Sequence, residues 1–154
     1  MTDMHTSSIM DSLVLAMETM AFTTPTLADP SLYPSPDSLH VSMPFTGPAR
    51  GTVELVASEK VGIGLAATIL ATTPEDPAAR RYARDALKEL LNVTCGLILP
   101  KLVPKESDAT PFRMTLPELV VFDSQAQWQD FAAAPDTCIL DVEGSLIALR
   151  VTCA

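Results

Sequence analysis

The sequence predicts an α+β domain in which helices pack on a mostly antiparallel β-sheet. Three observations predict this class: a long amphipathic helix with marked ends at 76–99, a second helical segment at 59–70, and a hairpin signal near the C-terminus. With 154 residues, of which 47% are hydrophobic, the chain can bury a real core and does not have the composition of a disordered protein. We expect residues 1–154 to form a single domain.

The first predicted element is a helix that begins with Ser8 as its N-cap and ends near Phe22. Its apolar residues repeat at helical spacing and indicate a core-facing side: Met10, Leu13, Val14, Met17, Met20 and Ala21. The next stretch, 23–37, contains four prolines and no periodicity, so it predicts a connecting loop.

A half-buried strand is predicted over 39–45, where apolar and polar residues alternate. His40 falls on the polar side, and we expect it to be a surface histidine. A turn at 47–51 leads into a second strand at 52–57, and Ser58 is the predicted N-cap of the helix at 59–70. The glycines of that helix, in VGIGLAA, lack the strand context and the later acidic residue of a nucleotide-binding loop, which disfavours nucleotide binding.

The helix at 76–99 is the most strongly marked element. Asp76 is a good N-cap, Pro77 suits the first helical position, and Pro100 should end or kink the helix. At about 100° per residue, two opposite sides can be assigned. The predicted inner side contains Ala83, Ala86, Leu87, Leu90, Thr94, Leu97 and Ile98. The opposite side, which we call the polar stripe, contains Asp85, Glu89, Asn92 and Gly96.

The C-terminal third predicts mainly strands. A polar loop at 101–110 is followed by strand-like segments at 112–116 and 119–122, and Pro117 between them implies an edge or a break. Residues 124–133 could form a short helix around Trp128 and Phe131. Residues 137–142 and 145–152 flank Glu143-Gly144, a two-residue turn that predicts a hairpin. The elements add up to three helices and about six strands.

Composition excludes several classes of function. A net charge of −9 disfavours nucleic-acid binding, which needs Lys and Arg to replace counterions. No apolar run approaches the roughly 18 residues of a membrane span, and the N-terminus lacks the basic start of a secretory signal. The three cysteines lack metal-ligand or CxxC spacing, and neither histidine suggests a metal site. We therefore expect a cytoplasmic protein with reduced cysteines, no membrane contact and no metal of its own.

The polar stripe has two interpretations. A polar face opposite an apolar one is usually solvated surface. Against this, Asn is a mediocre residue for a helix interior, and Asp85 and Glu89 repel one another at i,i+4. Arg81, Arg84 and Lys88 lie beside the stripe. This basic flank either stabilises the helix through an Arg81–Asp85 pair or helps an acidic partner to dock, and the sequence leaves both open.

The order Asp85-x-x-x-Glu89-x-x-Asn92, followed by Gly96, resembles the signature of the CheX/CheC family of chemotaxis phosphatases. The resemblance extends to LAMETMAF at 15–22, RGTVELVAS at 50–58 and RMTLPELV at 113–120, in the expected order. Two features depart from the pattern: Pro100 closely follows the stripe, and Glu18 in the first helix has no Asn three residues later. The second departure implies one site per chain, as in CheX.

The resemblance implies a CheC/CheX-like α+β fold, a homodimer formed by joined sheets, and hydrolysis of the aspartyl phosphate on a CheY-like response regulator. It implies that the receiver domain supplies the phosphoryl group, a Mg²⁺ ion and a lysine, and that this chain binds no cofactor. Asn92 would hold the attacking water and Glu89 would bind the lysine, while Asp85, Lys88 and Gly96 would contact the partner. The alternative is a CheX-like module that binds or scaffolds a response regulator or a flagellar switch without catalysis.

Overall fold

The computed structural model describes residues 2–28, 38–102, 112–120, 125–134 and 136–153, and it has the predicted α+β class. In these ranges the helices are α1 (Thr2–Ala21), α2 (Glu59–Ile69), α3 (Pro77–Ile98) and α4 (Gln125–Ala133). The strands are β1 (Thr26–Leu27), β2 (Ser38–Thr46), β3 (Gly51–Ser58), β4 (Arg113–Met114), β5 (Glu118–Val120), β6 (Thr137–Val142) and β7 (Ser145–Cys153).

The strands form one antiparallel sheet in the order β1-β6-β7-β3-β2-β4, and β5 also pairs with β2. The long strands β2, β3 and β7 lie at its centre, and short strands lie at both edges. Such short edge strands limit the backbone available for unwanted pairing. The break around Pro117 separates β4 from β5 at one edge, as predicted.

Helices cover both faces of the sheet. On one face, α1, α2 and α3 pack on alternate residues of the strands and enclose the main core, which includes Val41, Leu55 and Leu149. On the other face, Trp128 and Phe131 of α4 are buried against a smaller cluster that includes Val56, Leu146 and Ala148. The period-two alternation of the strands therefore supplies two apolar faces over part of the sheet.

His40 corrects a prediction. It does point away from the main core, but it is 8% exposed and is not a surface histidine. Its Nε2 lies 3.2 Å from Oε1 of Glu54, and its ring meets Phe131 edge to face at 5.9 Å. Arg150 donates from Nε to Glu54 Oε2 at 2.8 Å and lies over the same phenyl ring. The strand pattern could not reveal that α4 covers this face.

The bounds of several elements also differ from the predictions. Helix α1 begins at Thr2 and includes Ser8, whose carbonyl oxygen accepts a hydrogen bond from Ser12 Oγ at 2.8 Å, so Ser8 is not an N-cap. The predicted loop after α1 contains β1, which pairs with β6. The strand predicted at 112–116 shortens to β4, and the strand predicted at 119–122 begins one residue earlier, at Glu118 of β5. Residues 29–37, 103–111 and 121–124 of the predicted segments lie outside the described residues.

Other predictions are confirmed. Ser58 caps α2 by accepting a hydrogen bond from the Val61 amide, and both glycines of VGIGLAA lie inside this helix. The β6–β7 hairpin turns at Glu143 and Gly144, whose φ values of 50° and 85° are typical of a type I′ turn. Within the described ranges, no helix combines the length and apolar character needed to cross a bilayer.

Candidate functional site

Helix α3 is fixed at both ends by the residues that predicted it. Asp76 Oδ1 accepts a hydrogen bond from the Ala78 amide at 2.9 Å, and its other oxygen accepts one from Thr72 Oγ1 at 2.6 Å. These bonds satisfy an amide of the first turn and hold the preceding loop. At the other end, Pro100 lies in a 3₁₀ turn over Leu99–Lys101. The predicted end of the helix is therefore confirmed.

The inner side of α3 is buried in the main core. The buried residues are Ala79, Ala83, Ala86, Leu87, Leu90, Leu91, Thr94, Cys95 and Ile98, which include every predicted inner residue except Leu97, which is half-buried. Helices α2 and α3 approach each other closely at Gly62. A Cβ added at this residue would lie 2.9 Å from the Ala83 carbonyl oxygen. Close packing of this kind leaves α3 little freedom to shift.

The structure places the polar stripe on the solvent side of the same helix. Asp85, Glu89, Asn92 and Gly96 are all exposed. The stripe ends before Pro100, so its four residues lie on regular α-helix and the expected kink does not displace them. Asn92 is the only asparagine in the chain. The side chains of one helix face thus project from a rigid, well-anchored element.

Tyr82 belongs to the site and was missed by sequence reasoning. It lies two turns before Glu89 on nearly the same line of α3, and its hydroxyl donates to Glu89 Oε1 at 2.9 Å. That hydrogen bond, together with burial and the negative charges of Glu89 and Asp85, raises the pKa of Tyr82 above its ordinary value. The i,i+7 spacing was the available signal, but side-chain pairs are usually sought at i,i+3 and i,i+4.

Cations line one side of the polar stripe. Arg81 and Arg84 are exposed, and Lys88 is half-buried. With Arg80, they supply four of the ten Lys and Arg residues of an acidic chain within nine positions. In the described part of the chain, the ion pairs join Glu54 with His40 and Arg150, and Arg150 with Asp130, so the Arg81–Asp85 pair does not form. The basic flank is therefore available to a partner.

The candidate site is an exposed helix face rather than a cavity. A cavity of about 650 Å³ lies between α1, α2 and the β6–β7 turn, but no residue of the polar stripe lines it. Among the described residues, no group of three or more His, Cys, Asp or Glu side chains is arranged to hold a metal ion. An exposed helix side that presents several polar groups is better suited to docking against a protein than to enclosing a small substrate.

The cysteines do not contribute a nucleophile to the stripe. Cys95 and Cys138 are free and buried, and burial raises the pKa of each thiol to about 12. Such thiols are protonated and inert at neutral pH. Cys153, also free, is exposed on β7. The chemistry available at the stripe is therefore that of a carboxamide, two carboxylates and neighbouring cations.

Sequence comparison identifies a family. The family model described as "Chemotaxis phosphatase CheX" matches residues 39–132, which make up more than half of the chain and contain all of α3. No curated protein matches the chain at a significant level.

Solved structures show the same fold at low sequence identity. CheX from Desulfovibrio desulfuricans is 11% identical with a TM-score of 0.66, and the match covers 97% of this chain and 99% of that one. CheX in a CheX–CheY–BeF₃–Mg²⁺ complex from Borrelia burgdorferi is 13% identical with a TM-score of 0.65, covering 96% of both chains. CheX from Vibrio vulnificus is 15% identical with a TM-score of 0.62, covering 95% of both.

Proposed function

This chain belongs to the family of the chemotaxis phosphatase CheX, and we propose that Glu89 and Asn92 carry its activity. The reaction is hydrolysis of the aspartyl phosphate on a CheY-like response regulator. The observation that supports the assignment is the position of both side chains, exposed about one turn apart on a helix whose other side is buried in the core. A rigid helix can present both groups to a receiver domain without prior rearrangement.

The role assigned to Asn92 is to hold the attacking water. Phosphoryl transfer needs little covalent chemistry from the enzyme, because positioning and charge stabilisation account for most of the catalysis. A carboxamide can both donate to and accept from one water molecule, and so hold it in line with the phosphorus. Asn92 fits this role because it is exposed and no described residue occupies its amide by a hydrogen bond.

The role assigned to Glu89 is to bind the lysine of the receiver domain. A carboxylate and an ammonium group form a charge-assisted hydrogen bond, which is stronger and more directional than a neutral one. Such a bond would fix the register of α3 against the receiver and so place Asn92 opposite the phosphoryl group. This role needs one free carboxylate oxygen, and Tyr82 occupies only Oε1.

Asp85, Lys88 and Gly96 are assigned to partner binding. Gly96 leaves the end of the stripe without a side chain, where the partner can approach the helix backbone. Lys88 extends the basic flank formed with Arg81 and Arg84, which would attract the acidic surface of a receiver. Asp85 lies one turn before Glu89 and would add a docking contact.

The cofactor is assigned to the partner. We propose that this chain binds none, and that Mg²⁺ is carried by the receiver domain, where it neutralises charge on the phosphoryl group. We place the protein in the cytoplasm, and its three free cysteines support a reducing compartment.

The proposed dimer uses the sheet edge formed by β4 and β5. No described strand pairs with the outer side of these strands, and their neighbouring large apolar residues are exposed: Met114, Leu116 at 85% and Leu119. Strands β4 and β5 are short, but their exposed apolar side chains supply a surface that a second copy can cover. Sedimentation velocity should give a dimer for wild type and a monomer for Leu116→Lys with Leu119→Lys. Leu27→Lys, on the opposite edge, is the control, and a monomeric wild type would exclude the proposed dimer.

The catalytic assignment is tested by phosphate loss from a phosphorylated, Mg²⁺-bound CheY-like receiver. Wild type should accelerate the loss, and Asn92→Ala should reduce that acceleration by about 10²-fold, as for loss of one oriented polar group. Glu89→Ala should weaken both docking and rate. Glu18→Ala removes an exposed carboxylate from α1 and serves as the matched control.

Circular dichroism should show that all three variants remain folded, because each replaced side chain is exposed. Full activity in Asn92→Ala would contradict the assignment of the water. A wild type that binds phosphorylated receivers without accelerating hydrolysis would favour the binding module instead.

A further inference from the structure

A hydrogen bond joins the side chains of Tyr82 and Glu89 on α3. Tyr82 is half-buried and packs against the main core, which restricts the positions that its exposed hydroxyl can reach. The hydroxyl donates to Glu89 Oε1 at 2.9 Å from two turns away. Tyr82 therefore connects the main core to the exposed carboxylate of Glu89.

An exposed glutamate on a helix normally samples many rotamers, and ordering it at the moment of binding has an entropic cost. A hydrogen bond made before binding removes part of that cost. It also leaves the carboxylate with acceptor capacity, because a carboxylate has about four lone-pair sites and a phenol hydroxyl uses only one. Oε2 therefore remains available to a cation from the partner.

We propose that Tyr82 is a positioning residue that pre-orients the Glu89 carboxylate toward the ammonium group of the partner receiver. The proposal rests on the function proposed above for Glu89. It assigns Tyr82 no contact with the phosphoryl group or the attacking water. Tyr82 affects hydrolysis only by positioning Glu89, so its effect should disappear when Glu89 is replaced.

Tyr82→Phe is the informative variant, because it keeps the ring packed against the core and removes only the hydroxyl. We expect the concentration of phosphorylated receiver at half-maximal rate to rise about three- to tenfold, the range expected for one hydrogen bond. The maximal rate should change less, since Asn92 is unaffected. Thr19→Val, which removes an exposed hydroxyl bonded to its own helix in α1, is the matched control and should match wild type.

A double-mutant cycle separates positioning from a purely structural role. If Tyr82 acts through Glu89, Tyr82→Phe should have no further effect in a Glu89→Ala background. An equal loss in both backgrounds, or wild-type kinetics for Tyr82→Phe where Glu89→Ala is impaired, would overturn the proposal. Wild-type kinetics for Glu89→Ala itself would instead refute the proposed function of Glu89, so the two failures can be distinguished.

The bond can also be observed without a partner. In a Tyr33→Phe background, Tyr82 is the single tyrosine, and its ionisation can be followed by tyrosinate absorbance. Glu89→Gln should shift this titration to lower pH, because it removes the charged acceptor that disfavours the phenolate. An unchanged titration would show that the two side chains do not interact in solution and would refute the positioning role.

Discussion

Gly96 offers a test in which stability and activity should move in opposite directions. The residue lies inside α3, where glycine is entropically unfavourable, and a Cβ added there would meet no heavy atom of the other described residues within 4 Å. Gly96→Ala therefore carries no steric cost against the described part of the chain. The expected gain is the helix-propensity difference alone, about 0.5–1 kcal/mol. For a domain of this size, that raises the melting temperature by roughly 1–4 °C.

The same methyl group should impair the phosphatase reaction. If the backbone at Gly96 is a point of close approach, a methyl group there overpacks the complex. Overpacking typically costs about 1–3 kcal/mol, so the receiver concentration at half-maximal rate should rise about tenfold. Thermal unfolding followed by circular dichroism measures the first effect, and phosphate release at several receiver concentrations measures the second.

Gly64→Ala is the matched control. Gly64 lies inside α2 and is not part of the polar stripe, and a Cβ added there would likewise meet no described heavy atom within 4 Å. The substitution should give the same gain in stability with unchanged kinetics. If Gly96→Ala were as active as wild type, Gly96 would not be a point of close approach. If Gly96→Ala were less stable than wild type, the conformational reasoning itself would be wrong.

Three further predictions concern the core and the sheet. Gly62→Ala should lower the free energy of unfolding by about 1–2 kcal/mol in urea titrations, because its methyl would lie 2.9 Å from a carbonyl oxygen of α3. Burial raises the pKa of Glu54, but hydrogen bonds from His40 and Arg150 outweigh it and hold that pKa below its ordinary value of 4.5. Glu54→Gln should therefore lower the free energy of unfolding by about 1–3 kcal/mol at neutral pH, and the deficit should shrink as the pH falls below 4.5, where wild type loses the same stabilisation. A thiol reagent should label Cys153 in the native protein, and the two buried thiols only after unfolding, as mass spectrometry would show.

Local sequence signals are sufficient to predict the ends of an element where a few adjacent residues determine the backbone conformation. Asp76 and Pro77 start α3, and Glu143-Gly144 turns the hairpin, because caps and tight turns depend on a few adjacent residues. The two sides of α3 follow from helical periodicity alone. The exposed positions of the polar stripe can therefore be predicted without knowledge of any tertiary contact.

What the sequence does not reveal depends on contacts between distant elements. The alternation of β2 shows only which face His40 occupies, and the burial of that residue depends on α4, far along the chain. Strand β1 consists of two residues that are ordered by pairing with β6, too few for a period-two signal. Nothing in the sequence distinguishes Tyr82 from an aromatic residue that only packs. Its relation to Glu89 becomes visible in the structure, from the position of its hydroxyl.

The strand order has a consequence for how the protein is made. The central strand β3 pairs with β2 through a short turn, but its other neighbour is β7, in a register that joins Gly51 to Cys153. During synthesis, β3 must leave the ribosome long before its second partner exists. Its apolar residues and one edge of unpaired backbone are then exposed to other nascent chains. Contacts between residues so distant in sequence also slow folding. The sheet that supports α3 can be completed only after β7 has been translated.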